Sequence, residues 1–292
     1  MSVVNARHRF LQSTERTGGI PLLTALASLL LLLLLPACGG GGSGGIEDML
    51  RLLPRDAEGA LYADVAALYD DDDLRPIRRD AEDEWDNAGF EDTFDIELED
   101  LMYVVFGETD GNDLFLLGGL EDLDDLRDEL DDQDYDDDEI RDIEVWIDTS
   151  RSWEAVAFLD GGRVLIAEYE DTMEDVLRRL DRESSSLYDE VEDIVSDVPG
   201  GQIVVVTECG SDCIAASSIA KEGSDEMKLV QIAQYEDEDA AEDAEDDAKD
   251  DIEDDDLPSD CDDADVDRSG SVVTFELVCE LDFFDFFLRF DL

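Results

Sequence analysis

The sequence predicts an α+β fold, with antiparallel sheet built from hairpins and helices on one face. Three observations carry that expectation. Apolar residues fall in short strand-length runs, such as Leu114 to Leu120 and Ile203 to Thr207. Between them lie segments with helical spacing, such as Leu123, Leu126 and Leu130. Tight-turn sequences join neighbouring runs, notably Asp110-Gly111-Asn112 and Asp160-Gly161-Gly162.

In chain order, Ala60 to Val65 reads as the first strand. Leu74 to Asn87 reads as a helix with Pro76 in its first turn, where the missing N–H costs nothing. Leu101–Gly107 and Leu114–Leu120 form a hairpin, and Glu121–Leu130 follows as a helix. Asp131 to Asp138 reads as a solvated loop. Ile143–Ile147, Ala155–Leu159 and Val164–Tyr169 are strands. Thr172 is placed to cap a helix carrying Met173, Val176, Leu177 and Leu180, and Ser186 to Ser196 is a second helix. After Pro199-Gly200-Gly201 come strands near Ile203–Thr207, Ile214–Ala220 and Lys228–Tyr235. Ala240, Ala241, Ala244, Ala248 and Ile252 mark one helix stripe, and Val272–Cys279 is the last strand. Hairpins followed by helices recur. They point to duplicated β-α-β-β units split near residues 135–142 or 197–201, within a body, residues 46–292, of one domain or two.

The chain has 84 acidic and 20 basic residues in 292. Without residues 1–37, which carry Arg7, Arg9, Arg16 and Glu15, the remaining 255 residues have a net charge of −66. Nucleic acid is excluded as a partner, because phosphate binding needs clustered Lys and Arg. A hydrophobic content of 43% argues for a folded core inside an acidic shell rather than for disorder. Aspartates number 54, glutamates 30 and lysines three. Such surfaces resemble those of proteins from salt-loving organisms, where screening relieves self-repulsion. The one histidine is His8. From residue 9 onward the chain therefore lacks histidine for Ser-His-Asp or Cys-His catalysis and for imidazole acid–base chemistry.

The first 37 residues read as an export signal. A basic segment precedes Ile20 to Leu35, which is almost wholly apolar and ends in seven leucines. Those sixteen residues span roughly 24 Å as a helix, short of the ~30 Å hydrocarbon core. Leu35-Pro36-Ala37-Cys38 then resembles the bacterial lipoprotein lipobox, with Pro36 where Ala, Ser or Thr is usual. The resemblance covers the leader alone. It implies diacylglycerol on the Cys38 thiol, cleavage before Cys38, and a protein held at the cell membrane or outer membrane, facing the periplasm or exterior. Two or more acyl chains make a stable anchor where one does not. Residues 38–45 then read as lipid-attachment cysteine and glycine-rich tether. An uncleaved membrane helix is the alternative.

Four further cysteines, Cys209, Cys213, Cys261 and Cys279, are an even number in an exported chain and read as disulfides. Three pairings exist. Spacing favours a local Cys209–Cys213 bridge, which leaves Cys261 with Cys279.

Asp265, Asp267, Ser269, Ser271 and Glu276, with Gly270 at the sixth place, resemble an EF-hand calcium loop over twelve residues. Val272 to Leu277 reads as a strand, however, where that loop needs a helix. A hairpin turn at Arg268-Ser269-Gly270 is favoured, with calcium as the alternative. Asp148-Thr149-Ser150 resembles one half of an aspartic-protease pair, which needs two such loops. A strand end is the simpler reading. Phe283, Phe286, Phe287 and Phe290 follow helical spacing in a terminal helix expected to cover the core. The functional expectation is a lipid-anchored extracytoplasmic binding or assembly component without enzymatic activity, with a possible protein partner. A calcium- or cation-responsive surface protein is the first alternative, and a carboxylate-based metal-dependent hydrolase the second.

Overall fold

The computed structural model describes residues 43–55, 57, 59–109, 111–120, 122–179, 186–209, 213–224, 226–253 and 261–280. The leader, Cys38 and the phenylalanine-rich end therefore lie outside the described residues, and with them those expectations. Among the described residues no helix is long and apolar enough to cross a membrane.

The chain opens with helix α1 (Ser43–Leu52) and strand β1 (Gly59–Ala63). Helices α2 (Val65–Asp70), α3 (Arg75–Ala88) and α4 (Phe90–Phe94) lead to the hairpin β2 (Tyr103–Thr109) and β3 (Asn112–Gly118). Helix α5 (Leu123–Asp132) precedes β4 (Asp136–Ile140), β5 (Ile143–Ile147), β6 (Ala155–Leu159) and β7 (Arg163–Ala167). Then come α6 (Glu170–Leu177), α7 (Leu187–Asp197), β8 (Ile203–Glu208), β9 (Cys213–Lys221) and β10 (Glu226–Tyr235). Helix α8 (Glu238–Glu253) and the hairpin β11 (Cys261–Ser269) and β12 (Val272–Glu280) complete the described chain.

All strands join one antiparallel sheet, ordered β11-β12-β10-β9-β8-β1-β2-β3-β7-β6-β5-β4. At its middle β1 pairs with β8, Leu61 opposite Val205. Outward from that pair the order of elements repeats. A helix (α1, α7) precedes a three-strand meander, a second helix (α5, α8) follows it, and the last strand of each unit (β7, β12) returns beside the third strand. The division falls between β7 and α7. Neither 135–142 nor 197–201 divides the sheet: the first lies in the β4–β5 hairpin, the second between α7 and β8.

Helices cover both faces, which corrects the expectation of one covered face. Helices α1, α6 and α7 bury Met49, Leu50, Met173, Val191 and Ile194 against Tyr62, Val105, Leu116 and Leu165. On the other face α2 to α5 and α8 bury Leu68, Ile77, Phe90, Leu126 and Ala248 against Leu61, Val104, Leu117 and Phe275. The reason lies in β3 and β7, where consecutive side chains Leu116-Leu117 and Val164-Leu165-Ile166-Ala167 are all buried. A strand apolar on both sides needs a layer on both sides.

An aromatic stack anchors the second layer. Phe90 is fully buried, stacked 4.2 Å from the Trp85 ring and 5.1 Å from Trp153, with Phe115 edge-on at 4.8 Å. The Trp85 indole N–H donates to the Ile96 carbonyl at 2.8 Å, so its polar atom is satisfied inside the core.

Three local expectations change. Ser43 to Gly45 belong to α1 rather than to a tether, and Gly45 is buried so close to Tyr62 that a Cβ there would stand 2.9 Å from the ring. Residues 136–140 form the edge strand β4 rather than loop. Thr172 is a buried residue inside α6, whose N-cap is Tyr169. Ser186 does cap α7, its amide donating to Asp189 at 2.8 Å in a capping box.

Cys209 is bonded to Cys213 and Cys261 to Cys279. The second pair lies directly opposite across β11 and β12, with Cα atoms 3.9 Å apart. It closes a loop of 18 residues, which constrains the unfolded chain. Cys261→Ala with Cys279→Ala should cost about 3 kcal/mol in urea unfolding at fixed salt. A cost below about 0.5 kcal/mol would mean that the hairpin stands on its strand pairing alone.

Candidate functional site

A cleft of about 820 Å³ with converging side chains opens on the α2–α5 face. Each wall has a local cause. Asp64 caps α2, its Oδ1 accepting from the Ala67 amide at 3.2 Å, and burial pushes its carboxyl up. Gly89, at φ +76°, ends α3, and Asp95, at φ +53°, ends α4 and turns the chain into Ile96. Asp122 caps α5, accepting from the Asp124 amide at 3.1 Å. Met102 is clamped by its backbone: its amide donates to Gly118 at 2.8 Å and its carbonyl accepts from Ala66 at 3.1 Å. Gly119, at φ +97°, lets the return strand pass, since a Cβ there would meet the Met102 side chain at 2.4 Å.

The floor is apolar, from Phe94, Ile96, Leu101 and Leu126, and all four are buried. Met102 stands above it with 61% of its surface exposed. The rim carries Asp70, Asp95, Glu99, Asp100, Asp122, Asp125 and Glu129. No Lys or Arg lines the cleft, and among the described residues none of these seven carboxylates takes part in an ion pair. Crowding of like charge shows just outside it, where Glu99 and then Asp100 push the Glu97 carboxyl up. Tyr69 closes one side. Burial, then its 2.8 Å hydrogen bond to Glu82, pushes its phenol up, so it stays a neutral donor. The arrangement attracts positive charge and offers apolar contact below it.

The residues expected to resemble a calcium loop are laid out differently. Asp265, Asp267 and Ser269 run along β11, while Glu276 lies on β12 opposite Asp265. The turn is Gly270-Ser271, one residue later than expected. The five side chains are thus strung along a hairpin rather than wound round a point. Ser271 Oγ bonds the Gln234 amide at 2.6 Å, and Glu276 meets Lys228 at 2.6 Å. Among the described residues no group of three or more His, Cys, Asp or Glu is placed to hold a metal.

Asp148 accepts from both the Ser150 hydroxyl, at 2.6 Å, and the Ser150 amide, at 2.9 Å. Those bonds, with Arg151, hold its carboxyl below the usual carboxylate range. It is a turn-capping residue after β5. The cleft itself escaped sequence reasoning because four separated segments build it, and no motif spans them.

No family model, curated protein or solved structure matches the chain.

Proposed function

We propose that this protein is a lipid-anchored, extracytoplasmic binding component without enzymatic activity, and that it binds through the acidic cleft. The carrying observation is that cleft: an apolar floor under seven carboxylates with no basic side chain lining it. The leader supports the compartment, through Ile20–Leu35 and Leu35-Pro36-Ala37-Cys38. The two bonded cysteine pairs fit an oxidising environment. A net charge of −66 beyond residue 37 leaves attachment to the lipid rather than to the protein surface, because an anionic leaflet repels such a domain.

Cys38→Ala tests the anchor. It should abolish labelling by a fatty-acid analogue, leave the leader uncleaved at that site, and so raise the apparent mass. Unchanged labelling and mobility would remove the lipoprotein reading. An unsubstituted chain that already keeps its leader, with the mass of the full sequence and no fatty-acid label, would point instead to an uncleaved helix.

A further inference from the structure

We infer that the cleft takes a basic, amphipathic peptide segment of a partner protein, rather than a bare cation. The inference rests on the cleft being the binding surface proposed above. Three features select this occupant. The first is the apolar base. Met102 is one of two large apolar residues among the described ones that stand exposed, and it lines the cleft together with Leu101 and the half-buried Leu120. An unbranched thioether adapts to varied apolar side chains and is common on peptide-binding surfaces. A small inorganic ion would leave that surface unused.

The second feature is the spread of charge. The carboxylates come from four elements round the rim: the end of α2, the Asp95 turn, the 3₁₀ turn Leu98–Asp100 and the start of α5. They do not converge on one point, so they suit several separated positive charges. Elsewhere most of the described arginines and lysines sit on carboxylates, as Arg127 does on Glu144 and Lys221 on Asp71 and Asp73. No Lys or Arg of the described chain lines this cleft to offset its charge. The third feature is size. About 820 Å³ accommodates several amino-acid side chains and exceeds what a linear polyamine fills. A second copy of this chain is disfavoured by charge.

The test uses the mature acylated chain in non-ionic detergent at about 0.5 M NaCl, where nonspecific attraction is largely screened. The probes are an octapeptide alternating lysine and leucine, one alternating lysine and serine, and spermine. The lysine–leucine peptide should bind about tenfold tighter than either comparator. Met102→Ser should erase most of that preference without moving the melting temperature, since Met102 is solvent-exposed. Glu99→Gln with Asp125→Asn should weaken both peptides. The control pair Asp243→Asn with Asp246→Asn, exposed on α8, should change neither. Equal binding of the three probes, with the cleft charges still mattering, would overturn the peptide inference and leave the cleft a cation site. An equal loss from the α8 pair and the cleft pair would mean diffuse attraction, and both readings would fall.

Discussion

Phe90→Ala should lower the unfolding free energy by about 3–5 kcal/mol, a large share of the stability of an ordinary domain. Phe90 is fully buried and touches three other aromatic rings within 5.1 Å. Removing it leaves a cavity walled by Trp85, Phe115 and Trp153. Trp85 is fixed by its hydrogen bond to Ile96, so its ring cannot swing to fill the gap without leaving a buried N–H unpaired. Phe94 and Tyr135 line the same layer, 6.3 Å apart, and would lose support next. Urea unfolding at constant salt, followed by tryptophan fluorescence, reads the change. Phe90→Leu keeps most of the volume and should cost less than half as much. A loss under about 1.5 kcal/mol for the alanine would show that the second layer collapses round the gap.

Raising salt should stabilise the protein strongly. Folding draws 83 acids, opposed by 17 bases beyond residue 37, into a smaller volume than the unfolded chain occupies. From about 0.01 M to about 1 M salt the Debye length falls from roughly 30 Å to roughly 3 Å. The melting temperature should therefore climb throughout, most steeply below about 0.2 M. Sodium and calcium at equal ionic strength should act alike. An excess effect of millimolar calcium, removed by Glu276→Gln, would instead support a site on the β11–β12 hairpin. A melting temperature indifferent to salt would mean that the acidic shell is too dispersed to repel itself.

The pH dependence follows from two opposed sets of carboxyls. Glu91 is raised mainly by Asp86, Glu97 mainly by Glu99, and Asp113 mainly by burial. A carboxyl raised on folding binds protons more tightly in the folded state. Its stabilisation is full below the ordinary value of about 4 and is lost as pH rises through the raised value. Asp71, Glu144, Asp148 and Glu245 are held low, chiefly by bonds to Lys221, Arg127, Ser150 and Lys249 respectively. They stabilise above the ordinary value and stop doing so as pH falls through their lowered values. At low salt the melting temperature should rise as pH falls from 7 toward about 5, then drop below about 3.5. A monotonic fall from pH 7 would refute the first set.

The apolar strands were legible because pairing and burial coincide in them. β4 and β11 were not, because each pairs through its backbone while aspartates such as Asp137 and Asp265 face water. The continuous runs in β3 and β7 carried the signal for two covered faces, yet strand alternation was the pattern read. Helix α1 hid in a glycine run, since glycine is a poor helix former and only packing on Tyr62 and Tyr103 settles it. The hairpin at Gly270 could be read because Val272 to Leu277 is apolar at every second place, and Val273, Phe275 and Leu277 are buried. The cleft could not, because its floor and its rim come from residues 66 to 129 in separate pieces.

Both open margins of the twelve-stranded sheet, β4 at one end and β11 at the other, are strands rich in aspartate. No bulk of side chain or covering helix shields β4, whose residues are exposed or half-exposed. What keeps a second molecule from adding a strand there is repulsion between carboxylates, and repulsion is a property of the medium as much as of the chain. Brine that lets the interior hold together also thins this guard. The molecule thus lives between two failures: too little salt and it swells, too much and its margins become adhesive.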